Sequence, residues 1–192
     1  MLTKLLTTAA VALTSALDNG LGQTPGMGWN SDYCTKCVKP AAAAAAGENG
    51  FQYDSFVRHI ADTLVSSGLA AKGYTYVNMD ASWDTLRRDN ATGDLVPDPA
   101  LWPRGIESVI GYVHERGLGF GLYGDKGDLD CAKHPGQLGH EEQDARFLAR
   151  LGVDWWKEDS CDSGGTHAEQ LAAYVRSLAR YSLLTSAFSV FY

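Results

Sequence analysis

Three segments of the chain share one pattern of apolar and polar positions. Each opens with a glycine, continues as a short apolar or aromatic run and closes on an aspartate; they are residues 73–80, 117–125 and 152–159. An opening glycine suits the position just after a helix, where the backbone often takes a positive φ. Runs of this length are typical of strands. The pattern therefore predicts three strands, each preceded by a helix and each ending on an acid.

Helical spacing precedes each of these strands. Apolar residues recur three and four positions apart in residues 56–72, 105–116 and 141–151. The predicted apolar faces are Phe56, Ile60, Leu64 and Val65, then Ile106, Val109, Ile110 and Val113, then Ala145, Leu148 and Leu151. Residues 26–31 are typical of a first strand, residues 167–181 of a further helix and residues 182–192 of the start of a fifth strand.

This alternation of helices and buried strands predicts an α/β fold made of parallel βα units. Acids at the carboxyl ends of successive strands favour a (β/α)8 barrel of the TIM type, because that face holds the active site. A doubly wound sheet is the alternative, with its ligand at the same strand ends. A complete barrel needs about 200 residues or more, so we expect a barrel truncated after about four βα units.

The charge balance limits the choice of partner. The 192 residues are 45% hydrophobic and 20% charged, as in ordinary globular proteins, and the net charge is −7. We find no basic cluster, so neither nucleic acid nor an anionic membrane is expected as a partner. A neutral or cationic ligand fits better, and the oligomeric state stays open.

Residues 1–16 have the layout of a secretory signal peptide. One lysine near the start is followed by an apolar stretch and then by small residues up to Ala16, after which we expect cleavage. A short buried helix is the alternative. The sequon Asn90-Ala91-Thr92 and the even count of 4 cysteines agree with export. We therefore expect a secreted protein, glycosylated at Asn90, with its folded part in residues 17–192.

The segment 152–159 ends in three consecutive charges. Residues two apart in a strand share a face; Val153, Trp155, Lys157 and Asp159 are then on one face, and Asp154, Trp156 and Glu158 on the other. An ammonium beside a carboxylate keeps that carboxylate ionised. An ionised, oriented carboxylate can act as a nucleophile. Asp159 is therefore a candidate nucleophile, and a structural ion pair at a strand end is the alternative.

Six motifs place this strand in a wider pattern. In order they read PGMGWNS, GYTYVNMDASW, LVPDPALWPRGI, YVHERGLGFGLYGD, CAKHPGQLGHEEQDA and GVDWWKEDSC. Their order and spacing resemble glycoside hydrolase family 27, the secreted α-galactosidases and α-N-acetylgalactosaminidases, over about residues 24 to 180. The resemblance implies that residues 17–192 form the N-terminal portion of a catalytic barrel that releases terminal α-linked galactose from oligosaccharides with retention, without metal or organic cofactor. An α-N-acetylgalactosaminidase is one alternative. A product that lacks the acid/base residue, and that binds galactose without catalysis or does not fold, is another.

The resemblance also implies roles for individual residues. Asp159 matches the nucleophile, and four positions match sugar-binding residues: Trp29, Asp80, Tyr123 and Lys157. The acid/base aspartate of the family has no matching residue in this chain. Cys131 and Cys161 match cysteines that join the loops after the third and fourth strands. Closing that loop would stabilise the fold by about 3–4 kcal/mol in the chain-entropy model.

Three positions depart from the family pattern. Ala81 stands where a second sugar-binding aspartate is usual, so one hydroxyl contact is lost or made elsewhere. Ser82 replaces a half-cystine, and Glu158 replaces an aromatic residue on the face turned away from the pocket. The sugar preference is therefore open.

Two other motifs favour structural explanations. Cys34 and Cys37 are either bonded to each other or free; a zinc site lacks a second ligand pair, and a thioredoxin-like motif lacks a strand before it. Residues 119–124 match G-x-G-x-x-G, but the glycines fall within a predicted strand rather than at a turn that opens a helix. We therefore predict neither a metal nor a dinucleotide site.

Overall fold

A computed structural model of the chain describes residues 26–33, 53–161 and 189–191. The predicted signal peptide, Cys34, Cys37 and the predicted helix over 167–181 lie outside these residues. No helix within the described ranges is long and apolar enough to cross a membrane.

The described strands form one parallel sheet. They are β1 (Gly28–Asn30), β2 (Tyr76–Asn78), β3 (Gly119–Asp125), β4 (Trp155–Asp159) and β5 (Ser189–Phe191), and their order in the sheet is their order in the chain. All four neighbouring pairs are parallel. A doubly wound sheet reverses its strand order at a switch point, whereas this sheet adds each strand beside the last. The architecture is therefore that of successive strands of an α/β barrel, as the sequence predicts.

Among the described residues, three α-helices lie between β1 and β4: α1 (Tyr53–Ser66), α2 (Ile106–His114) and α3 (Glu141–Leu151). The four apolar residues predicted to face the core from α2 are all buried. In α1 the prediction is partly wrong, because the buried stripe contains Tyr53, Val57, Ala61 and Leu64, while Val65 is 45% exposed. The helix begins three residues before the predicted segment, so the core-facing stripe starts at Tyr53 instead of Phe56.

The apolar core lies between the sheet and these helices. On the sheet, its members are the alternate residues Val77, Phe120, Leu122 and Trp156, each at most 1% exposed. These residues share one face because side chains alternate along a strand. The opposite face of β3 and β4 carries Tyr123, Lys157 and Asp159, with Tyr123 paired to Lys157 and Asp125 to Asp159 across the two strands.

Glycines hold the connections that the sequence predicts. Gly73, Gly117 and Gly152 precede strands β2, β3 and β4 with φ values of 99°, 69° and 79°. These left-handed conformations cost little without a Cβ atom. The glycines of the G-x-G-x-x-G motif lie inside β3, and a Cβ on Gly124 would fall 2.1 Å from the Trp156 ring. Their role is close packing within the sheet.

Candidate active site

The carboxyl end of β4 brings a lysine and an aspartate onto one face. Trp156 and Glu158, which alternate with them, are 0% and 2% exposed on the helix-facing side. The side chains of Lys157 and Asp159 are 30% and 34% exposed. The two charged groups therefore face away from the helices and are accessible, as strand alternation predicts.

Lys157 joins β4 to the end of β2. Its Nζ lies 2.8 Å from Oδ2 of Asp80 and 3.9 Å from Oδ2 of Asp159. Asp80 is itself held in place: its backbone N–H donates to Oγ of the buried Ser31 at 2.7 Å, and its Oδ1 accepts the N–H of Ala81 at 3.1 Å. One ammonium thus bridges two carboxylates that lie 79 positions apart in the chain.

The charge state of Lys157 follows from its neighbours. Burial alone would lower the pKa of the ammonium, but the hydrogen bond to Asp80 and the negative charges of Asp80, Asp159 and Asp32 outweigh it, and the pKa is raised. Lys157 is therefore a cation at neutral pH. Asp32 is a member of this group that the sequence reading missed. The signal was its position two residues after the end of β1, at the same carboxyl edge as Asp80 and Asp159.

Tyr123 lies against the same aspartate from β3. Its hydroxyl donates to Oδ2 of Asp159 at 3.2 Å and lies 3.0 Å from Sγ of Cys131, while Lys157 Nζ is 4.9 Å from the ring centroid. Burial, and then the charge of Asp159, raise the pKa of Tyr123. The phenol therefore stays protonated and remains a donor. The other oxygen of Asp159, Oδ1, accepts the N–H of Ser160 at 2.8 Å.

A disulfide covers this part of the site. Cys131 and Cys161 are bonded, with their Cα atoms 5.1 Å apart, which confirms the pairing implied by the resemblance. The buried Asp125 stabilises the loops after β3 and β4, because its carboxylate accepts the N–H groups of Gly127 and Cys161. Burial raises the pKa of Asp125.

Four potential ligand groups for a metal come together here. Possible ligand atoms of Asp125, Cys131, Asp159 and Cys161 all lie within 4.8 Å of one another. Two of these residues are the half-cystines of the disulfide, so they offer no thiolate to a metal. The group is better explained as a carboxylate pair beside a disulfide.

Comparison with known proteins places this arrangement in a family. The family model described as alpha galactosidase A matches residues 24–186. The chain belongs to the alpha galactosidase A family. It is 46% identical over 154 residues to an alpha-galactosidase of Cyamopsis tetragonoloba, which covers 80% of this chain and 34% of that protein. It is 40% identical over 158 residues to an alpha-N-acetylgalactosaminidase of Gallus gallus, covering 80% of this chain and 37% of the relative.

A solved member of the family has the same fold. The structure of an alpha-galactosidase from Saccharomyces cerevisiae with raffinose superposes with a TM-score of 0.72 at 30% identity, over 90% of this chain and 36% of that one. The chain therefore spans about a third of the length of these relatives.

One residue that the family resemblance assigned to the sugar lies elsewhere. Trp29 pairs with Val77, which pairs in turn with Phe120, so it shares the helix-facing side of the sheet. Its indole packs edge-on against Phe56 of α1, with ring centroids 5.4 Å apart. The assignment of Trp29 to sugar binding on the face that carries Asp159 is therefore wrong. The alternation rule that placed Lys157 correctly excludes Trp29 from the same face.

The three positions that depart from the family pattern lie in different environments. Ser82 has a positive φ of 70°, unusual for a residue with a side chain. The carboxylate of Glu158 accepts the indole N–H of Trp156 at 2.6 Å and lies in the helix-facing layer, so it takes no part in the pocket. Ala81 offers no carboxylate beside Asp80.

The sequon lies in an exposed turn. Asn90 and Ala91 are exposed, and the Oδ1 atom of Asp89 accepts the N–H groups of Ala91 and Thr92 at 2.9 and 2.8 Å. The turn is therefore stabilised by Asp89, and the Asn90 side chain is accessible. Glycosylation at Asn90 remains a prediction.

Proposed function

We propose that this chain carries the nucleophile and part of the sugar-binding surface of a retaining α-galactosidase. The observation that supports it most is the arrangement around Asp159: an accessible carboxylate at the carboxyl end of a barrel strand, with a protonated Tyr123 and a cationic Lys157 beside it. Strand carboxyl ends hold the active sites of such barrels. Family membership supplies the reaction class, and we propose terminal α-linked galactosides of oligosaccharides as the substrate.

In the proposed mechanism, a carboxylate oxygen of Asp159 attacks the anomeric carbon as the bond to the leaving oxygen breaks. The product is a galactosyl ester, which water then hydrolyses with overall retention. Lys157 and Asp80 bind sugar hydroxyls through charge-assisted hydrogen bonds, which are about twice as strong as neutral ones. Tyr123 orients the attacking carboxylate, because its hydroxyl is fixed on Oδ2.

The reaction also needs a second carboxyl group as acid and base, about 5–5.5 Å from the first. Asp80 is bonded to Lys157, and both oxygens of Asp125 accept backbone N–H groups. We therefore assign neither to that role among the described carboxylates of this face.

An activated aryl α-galactoside tests the nucleophile, since its leaving group barely needs protonation. We expect hydrolysis by the parent chain and a loss of at least about a thousandfold in Asp159→Asn, in keeping with removal of a covalent nucleophile. Asp154→Asn is a matched control, because Asp154 lies one residue before β4 and its carboxylate contacts His114 and the Phe120 N–H instead of the site; this variant should keep most of the activity. Equal rates for the parent and Asp159→Asn would rule out this nucleophile. No hydrolysis by a folded parent would instead favour a chain that binds galactose without catalysis.

The second candidate is an α-N-acetylgalactosaminidase. The Gallus gallus relative supports it, because its identity over this region, 40%, is close to the 46% of the Cyamopsis tetragonoloba enzyme. Rates on aryl α-galactoside and aryl α-N-acetylgalactosaminide decide between them: a higher kcat/KM for the acetylated sugar would replace the first assignment.

We further propose that the protein is secreted after cleavage behind Ala16 and is glycosylated at Asn90. Expression in a glycosylating host should give a product that starts at Leu17 and loses mass on deglycosylation. Asn90→Gln should abolish that loss, whereas Thr92→Ser, which keeps the sequon, should retain it. An unchanged mass in all three proteins would contradict the glycan.

A further inference from the structure

A buried histidine and aspartate link the loops after β2 and β3. His134 Nδ1 lies 2.9 Å from Oδ1 of Asp84, and the two side chains are only 13% and 5% exposed. The residues lie 50 positions apart in the chain. A pair this enclosed, between two loops beside the site, restricts how those loops can move relative to each other.

His134 is held by a tight turn of its own loop. Oδ1 of the buried Asp130 accepts the N–H groups of Ala132 and His134, each at 2.8 Å, and the Asp130 N–H donates to the His134 carbonyl at 2.9 Å. Lys133, within this turn, has a positive φ of 69°. A residue with a long side chain adopts that conformation only where its surroundings impose it. The turn is therefore kept in shape by bonds to Asp130 and by the anchor on Asp84.

Both ends of the pair lead to Tyr123. Next to Asp84, the indole N–H of Trp83 donates to the Tyr123 carbonyl at 2.8 Å. Next to Asp130, the Cys131 sulfur lies 3.0 Å from the Tyr123 hydroxyl. The two loops thus contact Tyr123 at its backbone and at its hydroxyl, and that hydroxyl is bonded to Asp159.

We propose that His134 and Asp84 form a positioning pair that holds the Tyr123 hydroxyl on Asp159 and so sets the reactivity of the candidate nucleophile. This inference rests on the proposed function. His134 acts through the loops and does not touch the reacting atoms. The pair stabilises the geometry in which the phenol donates to Oδ2.

The charge on His134 makes this pair dependent on pH. Burial would lower the pKa of the imidazole, but the hydrogen bond to Asp84 and the charges of Asp84 and Asp130 outweigh it, and the pKa is raised above 6.5. Asp84 and Asp130 are the charged groups that act on it. His134 is therefore charged below 6.5 and loses its charge as the pH rises through the raised value, and the ion pair is lost there. On the acid side the pair is limited by Asp84, because burial raises the pKa of that carboxyl despite the bond to His134.

His134→Gln tests the pair, because glutamine keeps an N–H donor for Asp84 but cannot titrate. With an aryl α-galactoside, we expect kcat to fall about twofold to thirtyfold, the range for a residue that acts through a network, while KM changes little. The basic limb of the pH profile that His134 contributes should disappear. His114→Gln is the control. His114 Nε2 lies 2.7 Å from Oδ2 of Asp154, a similar bond that is remote from the site. The pH profile of this variant should match that of the parent.

A second measurement does not depend on catalysis. The loop that His134 anchors carries Cys131, so the rate at which dithiothreitol reduces the Cys131–Cys161 disulfide reports on the loop. We expect faster reduction, at one fixed pH, in His134→Gln and in Asp84→Asn than in the parent and His114→Gln. If no protein hydrolyses the galactoside but the reduction rates differ in this way, the proposed function fails and the loop anchor stands. Equal reduction rates, or a parental pH profile in His134→Gln, would overturn the proposal.

Discussion

Replacing Lys157 by methionine removes the ammonium that lies 2.8 Å from Asp80 while it keeps most of the side-chain volume. The side chain of Asp80 is only 10% exposed, and among the described residues its carboxylate would still accept the N–H of Ala81 but no longer contact a cation. An exposed ion pair contributes about 0–1 kcal/mol, and breaking a fully buried one costs about 3–5 kcal/mol. With Lys157 at 30% exposure the pair lies between these limits, so we expect a loss of about 2 kcal/mol, the value for a hydrogen bond to a charged group.

The assay is thermal unfolding, analysed as a double-mutant cycle. For a protein of this length, about 2 kcal/mol corresponds to a fall in Tm of about 4–8 °C. Asp80→Asn removes the partner's charge, and the double variant with Lys157→Met completes the cycle. We expect a coupling free energy of about 1–3 kcal/mol, as for residues in direct contact. A coupling below about 0.5 kcal/mol would show that solvent screens the pair, and the account of Lys157 as a bridge between two strands would then be wrong.

Three further predictions concern stability. Changing Cys131 and Cys161 together to serine should lower the free energy of unfolding by about 3–4 kcal/mol, measured in urea, because the bond closes a loop of 30 residues; an unchanged midpoint would contradict this. Arg88→Met should cost about 3–5 kcal/mol, because Asp144, fully buried, loses two bonds of 2.6 and 2.7 Å; a loss below 1 kcal/mol, the level of exposed pairs, would refute it. The pKa of Lys157 is raised above 10.5. The ammonium therefore contributes to the free energy of unfolding below pH 10.5, and this contribution is lost as the pH rises through the raised pKa. Tm in alkaline solution should therefore fall more for the parent than for Lys157→Met.

Local periodicity accounts for most of what the sequence predicted correctly. The glycine-led runs and the helical spacing of Ile106, Val109, Ile110 and Val113 depend on residues close in the chain. The orientation of Lys157 and Asp159 followed from alternation within a five-residue strand. In each case apolar and polar positions recur at a regular spacing within one helix or strand, so the local sequence is enough to predict the element and the face it buries.

The features that the sequence did not predict depend on contacts between distant loops. His134 and Asp84 lie in irregular segments, and no periodicity relates residues 50 positions apart. Asp32 follows a strand of only three residues, too short to show a repeat. Trp29, in that same strand, was assigned by motif alone, and the pairing with Val77 that reverses the assignment requires the sheet register.

The geometry divides the candidate site into two parts with separate supports. Lys157 is closer to Asp80, at 2.8 Å, than to Asp159, at 3.9 Å, so its stronger bond is to the carboxylate assigned to sugar binding. Asp159 takes its own bonds from Ser160 and Tyr123 instead. In the proposed mechanism Lys157 and Asp80 bind hydroxyls that do not react, so their loss should raise KM more than it lowers kcat. Loss of the His134–Asp84 pair that supports Tyr123 should lower kcat more than it raises KM, because Tyr123 acts on the carboxylate that reacts.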